Sequence, residues 1–180
     1  MELYEQALKI AARAHHDQCR KHDDTPYIAH PIMVARILEQ AGFEEIVIAA
    51  ALVHDVLEDS AITEAELRTL LGDTVTDITE AVTEDKALAW EDRKEAYVKK
   101  VVAHGEGAWA VSVADKIHNA RDFAAYHSTV GPDGWKIFNR GKEKKLWFEY
   151  LLLNELKTVW QHPLLAVYEK ELQILESLIE

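Results

Sequence analysis

The chain has 180 residues, of which 48% are hydrophobic, so its length and composition exclude a disordered chain and allow one domain with a full core. Its net charge of −12 argues against sequence-tolerant binding of nucleic acid polymers and against docking on anionic membranes, because both need many cationic contacts. A small anionic ligand is compatible with this charge, since it needs only a local cationic cluster or a bound metal ion.

The length predicts a single domain over residues 1–180, and three further features predict a soluble, cytoplasmic protein. The lone Cys19 cannot form an internal disulfide, which favours a reducing compartment. The first residues lack the basic and apolar regions of a signal peptide. The longest apolar run, 46–53, is far shorter than the roughly 18 residues that a membrane span requires.

Hydrophobic residues repeat with the helical period along almost the whole chain. The first helix is predicted over 2–16. His30-Pro31 indicates the start of a second helix that should end at Gly42, because proline is favoured in the first turn of a helix. Residues 44–57 are apolar on more than one side and are predicted to form a central buried helix.

A capping box that begins at Thr63, with Glu66 three residues later, predicts the next helix, and Gly72 predicts its end. The remaining helices are predicted over 73–82, 91–103, 107–126, about 135–160 and 164–179. No window alternates with a period of two for long enough to predict a strand. The fold class is therefore all-α, a bundle of roughly eight or nine helices.

The segment 136–145 carries five basic side chains and one acid within a strongly acidic protein. A solvated helix face is the favoured interpretation, because charge clusters of this size are common on protein surfaces. A local patch that attracts anions is the alternative.

Four ionisable side chains stand at the end of the most hydrophobic helix, at His54, Asp55, Glu58 and Asp59. Charged groups are seldom buried without a partner or a metal ion. If the helix continues, Glu58 lies four residues after His54 and three after Asp55, on the same face. The three carboxylates would then repel one another unless a cation lay among them, so the pattern predicts a divalent metal site.

Two other segments offer ligands of the same kind. Asp115 follows an apolar stretch and stands four residues before Asn119, and His30 lies beside the predicted helix start. Two histidines and two aspartates from three segments suit a first-row divalent ion such as Mn²⁺, Fe²⁺ or Zn²⁺, with open positions for water or substrate. Each residue also has an ordinary explanation, as a hydrogen-bonded core histidine, a helix cap or a salt bridge.

A longer series of residues contains these candidates in order: Ala14-His15, Gln18, Arg20-Lys21, Pro26-Tyr27-Ile28, His30-Pro31, His54-Asp55, Glu58-Asp59, Val82-Thr83, Ala114-Asp115-Lys116, Asn119-Ala120-Arg121-Asp122 and Pro132-Asp133-Gly134-Trp135. This series resembles the HD-domain metal-dependent phosphohydrolases. The resemblance is closest to the hydrolase domain of the RelA/SpoT homologue family, in its stand-alone small alarmone hydrolase form, and it covers about residues 3–150.

The resemblance implies an HD-domain fold and removal of the 3′-pyrophosphate from ppGpp and pppGpp, the alarmones of the stringent response, with manganese as the usual ion. The implied metal ligands are His30, His54, Asp55 and Asp115. The implied catalytic residues are Glu58 and Asp59, and the implied substrate-binding residues are Arg20, Lys21 and Asn119.

In this interpretation the metal ion lowers the pKa of a water, and the acidic pair orients that water and takes its proton or protonates the leaving 3′-oxygen. Two alternatives stay open at this point. One is an HD-type phosphohydrolase that acts on another nucleotide or on a phosphorylated cofactor. The other is a nucleotide-sensing module without turnover, although a pure binder would have no need of the second acidic pair. The sequence does not decide the oligomeric state.

Overall fold

The structure, a computed structural model, describes residues 2–21 and 24–179. In this part of the chain the helices are α1 (Glu2–Ala14), α2 (Ala29–Gln40), α3 (Glu45–Val53), α4 (Val56–Asp59), α5 (Glu64–Leu71), α6 (Asp73–Ala81), α7 (Trp90–His104), α8 (Glu106–Val130), a 3-10 helix (Gly131–Ile137), α9 (Gly141–Val159) and α10 (Pro163–Ser177). The described residues contain no strand, and Cys19 and Pro26 form an isolated antiparallel bridge. The predicted all-α fold class is confirmed.

Helix α5 begins where the capping box predicts it. The Thr63 hydroxyl accepts a hydrogen bond from the Glu66 backbone N–H at 3.3 Å, and the Glu66 carboxylate accepts one from the Thr63 N–H at 2.8 Å. Gly72 follows the last residue of α5 with a φ of +83°, a conformation that costs glycine little because it has no Cβ. Local sequence signals therefore fix both ends of this helix.

Replacing Thr63 by alanine is expected to lower the free energy of unfolding by about 1 kcal/mol, because it leaves the N–H of Glu66 without its capping acceptor. Denaturant unfolding measures the change. Thr69→Ala is the matched control, since Thr69 lies inside the same helix and its hydroxyl bonds to the Ala65 carbonyl. Equal losses in the two variants would contradict the capping role.

The predicted helix over 44–57 is wrong in one respect. Helix α3 ends at Val53, His54 and Asp55 form a turn, and α4 is a single turn over Val56–Asp59. In a regular α-helix consecutive side chains point about 100° apart, so neighbours diverge. The turn allows the adjacent His54 and Asp55 side chains to approach each other. The predicted helix over 135–160 is likewise divided, because the 3-10 helix ends at Ile137 and α9 begins at Gly141.

The chain divides into two compact units, one up to Asp115 and one from Lys116 onward. In the first unit α3 is central: residues 48–53 are all buried, and α3 packs against α1, α2 and α6. The prediction of a central buried helix is confirmed, and this helix carries His54 at its end. The prediction of a single domain over 1–180 stays a prediction. No helix in the described ranges combines the length and hydropathy needed to cross a membrane.

In the second unit α9 packs against α10, and the basic segment 136–145 lies at the start of this pair. Lys136 forms an ion pair with Asp133 at 2.7 Å, and Lys145 pairs with Glu149, which is buried. Two of the cluster's charges are therefore compensated within the unit. These contacts favour the interpretation of the segment as a surface helix face over that of a free anion-binding patch.

Candidate metal centre

Donor atoms from three separate elements of the first unit converge on one point. His30 is the second residue of α2, His54 follows α3, and Asp115 lies in α8. The Nε2 atoms of His30 and His54 lie 3.3 Å apart, and Asp115 Oδ1 lies 3.1 Å from His30 Nε2 and 3.7 Å from His54 Nε2. One ligand atom from each of these residues lies within 4.8 Å of the other two.

The fourth predicted ligand joins the same group. Asp55 Oδ2 lies 3.0 Å from His54 Nε2 and 3.7 Å from His30 Nε2. Donors about 2.1 Å from one ion and at right angles to each other are separated by about 3.0 Å. The five observed separations run from 3.0 to 3.7 Å, and the structure brings together all four side chains that the sequence predicts as metal ligands.

Two hydrogen bonds orient the donors. His54 Nδ1 lies 2.8 Å from the Ala51 carbonyl oxygen, and because a carbonyl only accepts, the ring proton belongs on Nδ1. The Nε2 lone pair of His54 is then directed at the group of donors. The Tyr27 hydroxyl donates to Asp55 Oδ2 at 2.6 Å, and burial together with the Asp55 charge raises the pKa of Tyr27, which keeps it a donor. Supporting bonds of this kind are typical around metal ligands.

Burial and charge both fit a cation. His30, His54 and Asp115 are 1%, 4% and 8% exposed. Burial lowers the pKa of His30, which favours the neutral imidazole that a metal ion needs. Burial also opposes a proton on His54, but the Asp55 and Asp115 carboxylates outweigh it and raise the pKa of His54. The Asp55 and Asp115 carboxylates thus attract positive charge to this point, and a divalent ion satisfies the same demand.

Replacing Tyr27 by phenylalanine removes the hydroxyl that holds Asp55 and is expected to weaken Mn²⁺ binding about 10- to 100-fold. Isothermal titration with Mn²⁺ measures the affinity. Tyr150→Phe is the matched control, because it removes a hydroxyl that donates to the Glu176 carboxylate at 2.9 Å in the second unit. An unchanged affinity in Tyr27→Phe would remove Tyr27 from the support of the centre.

The predicted catalytic acids follow one turn after the ligands, in α4. Glu58 is half-buried, its Oε2 accepts a hydrogen bond from the Glu84 N–H at 3.3 Å, and burial raises the pKa of its carboxyl. Asp59 is exposed, and its Oδ1 accepts a hydrogen bond from Lys86 Nζ at 2.9 Å. The Asp59 carbonyl accepts a hydrogen bond from Gln18 Nε2 at 2.7 Å. The two acids therefore occupy different environments.

The predicted substrate-binding residues are less closely tied to this centre. The Arg20 guanidinium lies 5.7 Å from the centre of the Tyr27 ring, and Tyr27 reaches Asp55. Lys21 is exposed in the turn that follows. Asn119 is half-buried and belongs to the second unit. The binding roles of all three stay predictions.

The sequence did not identify two contributors to the centre's surroundings. Tyr27 belongs to the series Pro26-Tyr27-Ile28, but the sequence gives no indication that its hydroxyl bonds to Asp55. Lys86 had no signal, because it lies in the loop between α6 and α7, 27 residues from Asp59 in the chain. A pattern in sequence can indicate spacing within one helix, but contacts from a distant loop need the fold.

Comparison with known proteins identifies a family, curated relatives and solved structures to which this chain is similar. The HD domain family matches residues 7–134. The human guanosine-3′,5′-bis(diphosphate) 3′-pyrophosphohydrolase MESH1 is 42% identical over 133 residues, which are 72% of each chain. The structure of a metazoan orthologue of SpoT that hydrolyses ppGpp is similar with a TM-score of 0.80 and 27% identity, over 96% of this chain and 95% of that one. The crystal structure of lmo0812 from Listeria monocytogenes EGD-e has a TM-score of 0.75 and 34% identity, over 80% of this chain and 96% of that one.

Proposed function

Since the chain belongs to the HD domain family, with relatives among the ppGpp 3′-pyrophosphohydrolases, we propose that it hydrolyses the 3′-pyrophosphate of ppGpp and pppGpp. Water and ppGpp give GDP and pyrophosphate, and pppGpp gives GTP and pyrophosphate. The convergence of two histidines and two aspartates, with an acidic pair one turn further along the chain, is the observation that carries the proposal.

The resident cofactor of this proposal is one Mn²⁺ ion, which His30, His54, Asp55 and Asp115 would hold. Nitrogen and oxygen donors without a thiolate support a first-row divalent ion. Such an ion supplies Lewis acidity towards a phosphoryl oxygen and lowers the pKa of water. Other first-row divalent ions fit the same donors, so the metal must be tested by substitution.

The remaining roles in this proposal are assigned to five further side chains. Burial raises the pKa of Glu58, which suits a group that exchanges a proton with water or with the leaving 3′-oxygen. Asp59 is the second acid, with its carboxylate held by Lys86. Arg20 and Lys21 would bind phosphate charge, and Asn119 would bind a phosphate or ribose oxygen without adding charge.

The lone Cys19 supports a reducing, cytoplasmic location.

The test is an assay of the purified protein with ppGpp and Mn²⁺, with the products separated by ion-exchange chromatography. We expect GDP and pyrophosphate in equal amounts, with no turnover after the protein has been treated with EDTA. Orthophosphate release from a nucleoside monophosphate, without pyrophosphate release from ppGpp, would support the alternative phosphohydrolase. Binding of ppGpp without any product would support the sensing module.

A further inference from the structure

The loop between α6 and α7 lies against the acidic pair. Lys86 Nζ donates to the Glu58 carbonyl at 2.9 Å and to Asp59 Oδ1 at 2.9 Å, and it lies 3.6 Å from Glu58 Oε1. The Glu84 N–H donates to Glu58 Oε2 at 3.3 Å. Within this loop, Lys86 therefore contacts both acids, and Glu84 contacts Glu58. The contacts involve main-chain as well as side-chain atoms.

The loop itself is anchored to α7. The Glu84 carboxylate, 12% exposed, forms an ion pair with Arg93 Nε at 2.9 Å and a second one with Lys94. Lys100 donates to the Thr83 carbonyl. These contacts fix one end of the loop to a 15-residue helix, so that Lys86 approaches the acidic pair from a constrained segment.

We propose that Lys86 is a positioning residue, which holds the Glu58–Asp59 pair in the orientation that hydrolysis requires. An ammonium group offers three donor hydrogens, and here it joins the main chain of Glu58 to the carboxylate of Asp59. The Asp59 carboxylate forms an ion pair with Lys86. Because Asp59 is exposed, packing alone does not define the rotamer of the Asp59 side chain.

Stability does not account for this contact. The Lys86 and Asp59 side chains are 54% and 39% exposed, and exposed ion pairs contribute little to the free energy of folding. Catalysis is more sensitive, because a displacement of about 1 Å in a reacting group can lower the rate about 100-fold. The inference rests on the proposed function, since it concerns the acids of that reaction.

The test compares Lys86→Met, Lys86→Arg and Lys99→Met with the unchanged protein. Lys86→Met keeps the length of the side chain without its charge, and Lys86→Arg restores a cationic donor. Lys99→Met is the charge-matched control, because Lys99 is exposed on α7 and pairs with Glu95 of the same helix. The measurements are kcat and KM for ppGpp, bound Mn²⁺ per chain and the melting temperature.

We expect kcat of Lys86→Met to fall about 10- to 100-fold, with KM within about threefold and with full Mn²⁺ content. The melting temperature should change by less than about 3 °C, Lys86→Arg should recover most of kcat, and Lys99→Met should retain it. An unchanged kcat in Lys86→Met would overturn the proposal, and so would a loss confined to KM, which indicates substrate binding. A fall of kcat that Lys86→Arg does not restore would also overturn it. If the unchanged protein releases no pyrophosphate, it is the proposed function that fails.

Discussion

Replacing His54 by alanine is expected to lower kcat/KM for ppGpp by more than about 1,000-fold, because it removes a nitrogen donor from the centre of the ligand group. His54 Nε2 lies 3.3 Å from His30 Nε2, 3.0 Å from Asp55 Oδ2 and 3.7 Å from Asp115 Oδ1. Steady-state kinetics with Mn²⁺ measure the loss, and circular dichroism shows whether the helices form.

The same variant has a readout that does not depend on turnover. A ligand that binds only the folded state raises the melting temperature, so Mn²⁺ should stabilise the unchanged protein and not His54→Ala. His104→Ala is the control, because His104 is exposed at the end of α7. Full turnover by His54→Ala would show that His54 is not a ligand. An equal stabilisation by Mn²⁺ of His54→Ala and of the unchanged protein would show the same.

Replacing Glu58 by glutamine is expected to lower kcat about 100- to 10,000-fold while the bound Mn²⁺ stays at the level of the unchanged protein. Glutamine keeps the size of the side chain and an oxygen that can accept from the Glu84 N–H, but it cannot carry the proton. Kinetic assays and metal analysis of the same sample separate the two effects.

Glu95→Gln is the matched control for Glu58→Gln, because it makes the same change on the surface of α7, where Glu95 pairs with Lys99. Loss of Mn²⁺ together with kcat in Glu58→Gln would make Glu58 a ligand instead of a proton carrier. An unchanged kcat in Glu58→Gln would indicate that Asp59, and not Glu58, carries the proton.

The sequence predicts most of the helices because their signals are local. The capping box at Thr63 and the apolar run over 48–53 each need only neighbouring residues, and the structure agrees with both. The interruption at His54-Asp55 could not be predicted in this way, because the hydrophobic period continues through it. The break lies between the end of α3 at Val53 and the start of α4 at Val56, and it places two ligands side by side.

The candidate ligands could be selected from the sequence because each one is a polar residue beside an apolar helical stretch. The contacts that support these ligands could not be predicted from the sequence. Tyr27 bonds to Asp55 across 28 residues of chain, and Lys86 reaches Asp59 across 27. The roles of Arg20, Lys21 and Asn119 depend on where the nucleotide lies, and a bound substrate is required to decide them.

A crystal of the protein grown with Mn²⁺ and measured at the manganese absorption edge is the most direct test of the metal centre. An anomalous difference peak is expected about 2.0–2.3 Å from the Nε2 atoms of both histidines and from one carboxylate oxygen each of Asp55 and Asp115. The contradicting result would be a manganese peak elsewhere in the protein and none at this position, with the four side chains hydrogen-bonded directly to one another.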